Sequence, residues 1–96
     1  MDILVTYDVN TMSTEGRRRL RRVAKVCEGF GQRVQLSVFE CRVTDTQLER
    51  LKQRLLDEID DQEDSLRLYR LRGGREDVVD AFGRDTYRDF DEPLVL

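Results

Sequence analysis

Asp8 is the acid best placed to do chemistry in this sequence. It follows Ile3-Leu4-Val5-Thr6-Tyr7, a β-branched and aromatic run with the composition of a buried strand, so its carboxylate sits on rigid backbone at a sheet edge. A carboxylate held this way suits a hard cation such as Mg²⁺, and metal-assisted phosphodiester hydrolysis is the chemistry that follows. One carboxylate is too few for that reaction, and no second acid lies near it in sequence. A symmetric dimer would supply the missing ligand by bringing two copies of Asp8 face to face. The plainer reading is an aspartate that caps the turn after the strand.

Arginines form the second chemical feature. Arg17-Arg18-Arg19-Leu20-Arg21-Arg22 has the composition of a phosphate-contacting surface, because the guanidinium fork matches phosphate oxygens, although a solvated helix face has the same composition. Arg33, beside Gln35 at a strand start, is a further candidate contact, and Phe39 is either an exposed stacking residue or part of the core. The net charge of −3 hides an asymmetry: residues 1–44 carry eight Lys/Arg against five Asp/Glu (+3), and residues 45–96 nine against fifteen (−6). A locally basic patch can hold a polyanion whatever the total charge, since counterion release depends on the patch.

The chain has no histidine, which excludes Ser/His/Asp and Cys/His catalysis and histidine-ligated zinc within one chain. It has no phosphate-binding Walker loop and no dinucleotide fingerprint. Cys27 and Cys41 lack CxxC spacing and stand among apolar neighbours, as structural thiols do. No apolar run spans a bilayer and the first residues lack the basic flank of a secretory signal, so a cytoplasmic location with no membrane partner is expected.

These residues need elements to position them, and 96 residues allow one domain. After the first strand, Ser13 can cap a helix whose apolar positions are Leu20, Val23, Ala24 and Cys27, with Phe30 closing its end and Gly29 and Gly31 terminating it. The stretch from Arg33 to Val43 changes phase: Val34, Leu36 and Val38 share one face, and Phe39, Cys41 and Val43 the other. That requires either two short strands or one strand bulged near Ser37. Thr44-Asp45-Thr46-Gln47 fits a capping box before a second helix with Leu48, Leu51, Leu55, Leu56 and Ile59 as its apolar stripe. The acids from Asp57 to Asp64 read as a solvated loop rather than a chelating site. Ser65 to Leu71 alternates as a strand and Gly73-Gly74 punctuates it. Residues 1–74 are thus read as the core, and 75–96 as a tail that is polar and acidic until Pro93-Leu94-Val95-Leu96, a strand needing another sheet edge. Strand, helix, strand, strand, helix, strand is the α+β, ferredoxin-like βαββαβ order, with one added strand.

Five blocks in order resemble a known family. They are Ile3 to Val9, Gly16 to Lys25, Gly31 to Gln35 running into Ser37 to Cys41, Ser65 to Leu71, and Pro93 to Leu96. Together they are similar to the small CRISPR-associated adaptation proteins of the Cas-two family, which are Mg²⁺-dependent endonucleases. The resemblance implies a homodimer in which the Pro93 to Leu96 strand of one chain, through Pro93, Leu94, Val95 and Leu96, joins the sheet of the other. It implies Mg²⁺ bound by Asp8 from both subunits, and cleavage of single-stranded RNA or double-stranded DNA. It also implies a complex with the Cas-one integrase that captures and inserts new spacers. Tyr7, Asp8, Arg33, Ser37 and Phe39 match functional positions of the family. Arg17, Arg18 and Arg19 match as a cluster.

Two other functions stay open on the residues. One is a nonenzymatic DNA-holding subunit of the same integration complex, which needs the basic helix and the tail but no Asp8 chemistry. The other is a small-ligand regulatory domain on the same fold, against which the arginine cluster argues.

Overall fold

Strand β1 (Asp2–Asp8) alternates with period two. Ile3, Val5 and Tyr7 are buried on one face, and Asp2, Leu4, Thr6 and Asp8 lie on the other. The computed structural model describes residues 1–87 and places β1 inside a four-stranded sheet of order β2-β3-β1-β4. The other strands are β2 (Gly31–Gln35), β3 (Val38–Arg42) and β4 (Ser65–Leu71), and every neighbouring pair is antiparallel. The two helices, α1 (Thr14–Glu28) and α2 (Asp45–Glu58), are the crossovers that carry the chain from β1 to β2 and from β3 to β4. This is the ferredoxin-like α+β arrangement expected from the element order. Among the described residues no helix is long and apolar enough to cross a membrane.

Both helices begin where the sequence places their caps. The Ser13 hydroxyl accepts the Gly16 N–H at 3.0 Å. At α2, Gln47 N–H donates to Thr44 Oγ1 at 3.2 Å while Thr44 N–H donates to Gln47 Oε1 at 2.8 Å, a complete capping box. Val23, Cys27, Leu51 and Leu55 then meet Ile3, Val5, Phe39 and Cys41 of the sheet in one core. Val26 joins them, widening the apolar stripe of α1. Leu56 does not: at 58% exposure it stands about 100° around the helix from Leu55 and misses the sheet.

The phase change before Val43 resolves into two strands and a bulge together. Leu36 and Ser37 form the turn between β2 and β3, and the register slips between Arg33 and Gln35. Leu36 therefore sits 86% exposed at a hairpin tip, not on an apolar face with Val34 and Val38. Gly31 is required for its size: a Cβ there would stand 2.4 Å from the Glu40 carbonyl oxygen across the β2–β3 pair.

Arg75, with Asp85 and Tyr87, packs on the sheet face away from α1 and α2. A short helix, α3 (Arg75–Val78), follows Gly74, and the Arg75 N–H donates to Asp2 Oδ2 at 3.0 Å. The Arg75 guanidinium pairs with the buried Glu40 carboxylate and with Asp85 at 3.0 Å, and lies 3.7 Å over the Tyr87 ring. The expected terminal strand Pro93, Leu94, Val95, Leu96 lies outside the described residues.

Gly16 fixes how the end of β1 meets α1. A Cβ on it would fall 1.8 Å from the Asn10 carbonyl oxygen, which is backbone and has no rotamer to change. Gly16→Ala is expected to push the 9–13 loop off the helix and to lower stability by about 1–3 kcal/mol, the usual cost of overpacking, despite alanine's better helix propensity. Thermal melts of the two proteins check this, and an unchanged or raised melting temperature would count against the close approach.

Candidate metal and nucleic-acid site

The end of β1 collects most of the residues singled out in the sequence. Asp8 is its last residue, exposed, and paired in register with Ser65 of β4. It does not cap the following turn. Asn10 does, its Oδ1 accepting the Met12 N–H at 2.9 Å. Among the described residues no side chain makes a hydrogen bond or ion pair with the Asp8 carboxylate, which leaves both oxygens to solvent. A single chain does not complete a cation site around it: no group of three or more His, Cys, Asp or Glu among the described residues could hold a metal ion. One carboxylate on firm backbone does fit a shared site, because Mg²⁺ commonly takes one or two carboxylates and keeps water in its remaining positions.

Tyr7 and Phe39, expected at the nucleic-acid surface, are core residues. Phe39 is fully buried and Tyr7 is 6% exposed; their rings stack with centroids 6.2 Å apart, and the Tyr7 hydroxyl donates to the Leu36 carbonyl at 3.4 Å. The physical reason is the strand phase. Tyr7 alternates with Ile3 and Val5, and Phe39 pairs in register with Val5, so both point into the layer between sheet and helices. Neither can stack on a base. Burial pushes the Tyr7 phenol above its ordinary pKa, partly opposed by Arg33. Arg33 itself is exposed, with its guanidinium 5.2 Å over the Phe39 ring, and Ser37 holds the strand end by accepting the Tyr7 N–H at 3.1 Å through its carbonyl. Of the five positions grouped around Asp8, only Asp8 and Arg33 present an exposed charged group.

The arginine cluster divides by helix face. Arg17 bonds the Thr11 carbonyl and Thr14 Oγ1, both at 3.1 Å, across the start of α1. Arg19 is turned inward, its side chain 13% exposed and paired with Asp64 at 2.9 Å, so it is not part of an open phosphate surface. Asp64 in turn departs from the solvated acid loop expected for it: its side chain is fully buried. Burial raises its carboxyl pKa, but hydrogen bonds from Arg19 and from the Asp60 and Asn10 amides outweigh that and hold it below the usual carboxylate value. What remains open is a shallow groove lined by Arg18, Arg21, Arg22 and Lys25. Their i, i+3, i+4, i+7 spacing makes one stripe along α1, a periodicity that was present in the sequence beyond Arg19. Arg22 is steadied by Glu58 at 2.8 Å, and Arg18 by Glu15 at 3.9 Å.

Cys27 and Cys41 are buried free thiols. Burial pushes Cys27 up to about 12 and Cys41 to about 11, which keeps both protonated and unreactive near neutral pH.

Comparison with known proteins agrees with this architecture. The family described as CRISPR associated protein Cas2 matches residues 1–77. The CRISPR-associated endoribonuclease Cas2 1 of Moorella thermoacetica is 55% identical over 96 residues, with 100% of both chains covered. The CRISPR-associated endonuclease Cas2 of Halalkalibacterium halodurans is 50% identical over 96 residues, again with 100% of both covered. Among solved structures, the crystal structure of Streptococcus pyogenes Cas2 at pH 6.5 aligns with a TM-score of 0.78 and 51% identity, over 86% of this chain and 100% of that one.

Proposed function

The chain belongs to the CRISPR associated protein Cas2 family, and from that premise we propose that it is a Mg²⁺-dependent endonuclease whose metal is held by Asp8 from two copies of the chain. The observation that carries the reading is Asp8 itself, an exposed carboxylate without a partner among the described residues, at the end of a central, doubly paired strand. With one such acid per chain, a homodimer is the economical way to bring two together. Bound Mg²⁺ would supply Lewis acidity toward the phosphodiester and an activated water. The chain's own part is to hold the carboxylate in place and to lay the strand along the basic stripe of α1. Its substrates on this proposal are single-stranded RNA and double-stranded DNA; relatives named endoribonuclease and endonuclease support nucleic-acid cleavage. On the same proposal the Cas-one integrase is the partner in spacer acquisition.

Two measurements test the two halves. Labelled single-stranded RNA and duplex DNA are incubated with the purified protein across a Mg²⁺ titration and with a chelator. Cleavage should require the metal, and retention of full activity in chelator would defeat the metal-dependent reading. Binding should be independent of cleavage. Replacing Arg21 and Lys25 with glutamine is expected to lower the slope of log affinity against log salt for RNA by about 0.7 per lost phosphate contact. An unchanged slope would remove the stripe from the interface.

A second reading, a DNA-holding subunit without physiological cleavage, is favoured by one observation: the basic stripe is built from residues that do not include Asp8. On that reading, duplex DNA binds through the stripe with chelator present, and spacer acquisition survives loss of Asp8 but not loss of the stripe.

A further inference from the structure

We propose that Asp64 and Arg19 are positioning residues for Asp8, and that the contribution of Arg19 to activity passes through this pair and not through contact with phosphate. The proposal rests on the reading of Asp8 above. Four N–H groups converge on the buried Asp64 carboxylate. Oδ1 accepts from the Asn10 amide at 3.1 Å and from Arg19 Nη2 at 3.3 Å; Oδ2 accepts from Arg19 Nε and from the Asp60 amide, both at 2.9 Å. A buried carboxylate is tolerated only when it is paired and hydrogen-bonded in this manner.

The placement of these bonds gives them a function. Asp64 directly precedes Ser65, the residue paired with Asp8 across β4, and its Oδ1 holds Asn10, two residues after Asp8. It therefore ties the chain just after Asp8 to the start of the strand that pairs with Asp8. Asn10 is held at further points: its Nδ2 donates to Glu63 at 2.7 Å, and its carbonyl lies where Gly16 leaves no room for a side chain. Arg19 closes the arrangement from α1 with a bidentate fork, which couples the helix to the loop that follows the strand. A supporting pair of this kind acts on a metal ligand as second-layer partners do, and its loss is expected to cost roughly 10- to 100-fold in activity or metal affinity.

The test uses the full chain with Asp64→Asn, Arg19→Gln and the double variant, measuring RNA cleavage, RNA binding against salt, and hydrogen exchange at the Asp8 and Asn10 amides. Each single variant should lower kcat by about 10- to 100-fold and raise the Mg²⁺ midpoint while leaving KM and the salt slope as in wild type. The double variant should be no worse than either single one. Protection of the two amides should fall in both. Arg19→Gln lowering the salt slope by about 0.7 with kcat intact would overturn the proposal in favour of a phosphate contact. Wild-type protection at Asn10 in Asp64→Asn would overturn it as well. If Asp64→Asn fails to fold, Arg19→Gln carries the test, since it keeps the Asp64 carboxylate and weakens its hold on Asn10 only by removing the fork that anchors it. If wild type and Asp8→Asn cleave alike, the catalytic reading of Asp8 fails, and the exchange data still decide whether the pair positions that residue.

Discussion

Asp8→Asn is expected to lower the rate of RNA and DNA cleavage by at least about a hundredfold, more than the 10- to 100-fold typical of a supporting partner, while leaving the fold intact. The substitution keeps the size of the side chain and removes its charge, and therefore its value as a ligand for a hard cation. Nothing in the core depends on it. Asp8 points away from the layer that holds Ile3, Val5 and Tyr7, and it supports no hydrogen bond or ion pair among the described residues. Its melting temperature should stay within about 2–4 °C of wild type, as for surface substitutions worth about 0.5 kcal/mol or less in a domain of this size. The loss should appear in kcat with KM little changed, because a group acting on the reacting phosphate is felt in the transition state. Single-turnover cleavage at saturating protein, with dimerisation followed by sedimentation, makes the comparison. A variant that still cleaves at the wild-type rate would remove Asp8 from the reaction.

Phe39→Ala is expected to be the most destabilising single change near the site, and to weaken nucleic-acid binding only by unfolding the domain. Its ring is fully buried against Tyr7 and Val5, so truncation removes an aromatic side chain and leaves a cavity, at a cost of about 3–5 kcal/mol. Against a total stability of about 5–15 kcal/mol, this should lower the melting temperature by at least about 12 °C. Phe39→Leu separates the two roles, since it keeps much of the buried volume and loses only the aromatic face. If Phe39 is core, the leucine variant binds RNA with wild-type affinity once folded. A base-stacking residue would instead lose about 1–3 kcal/mol of affinity with little change in melting temperature.

At Tyr7 and Phe39 the family match and the strand phase point to different surroundings. Tyr7 and Phe39 belong to blocks that carry the family resemblance, and the resemblance places both at the nucleic-acid surface. The alternation of β1 already placed Tyr7 on the face of Ile3 and Val5, and the same phase argument put Phe39 with Cys41 and Val43. Residues next to a site can therefore match a family's functional positions because they shape the site from beneath. Arg19 is the parallel case on the helix. Dense arginines looked like one surface, yet a helix turns about 100° per residue, so neighbours in such a run face different surroundings. Arg18, Arg21, Arg22 and Lys25 share the open face, and Arg19 meets Asp64.

Elements and their limits were set by local chemistry that the sequence states directly. Ser13 and the Thr44/Gln47 box start the helices, β-branched alternation makes β1, and Asp8 falls where that alternation ends. Local periodicity also decided the fold class, because two helices between strands in this order pack in few ways. Tertiary structure alone decided the partners. Arg19 and Asp64 are separated by 45 positions, Glu40 and Arg75 by 35, and Asn10 and Asp64 by 54, distances over which no spacing rule operates. The physical reason is that periodicity says which residues share a face, whereas burial depends on what covers that face. Once α1 and the 60–64 loop close over the exit of β1, a carboxylate that reads as solvated becomes a buried anchor for Asn10, two residues after Asp8.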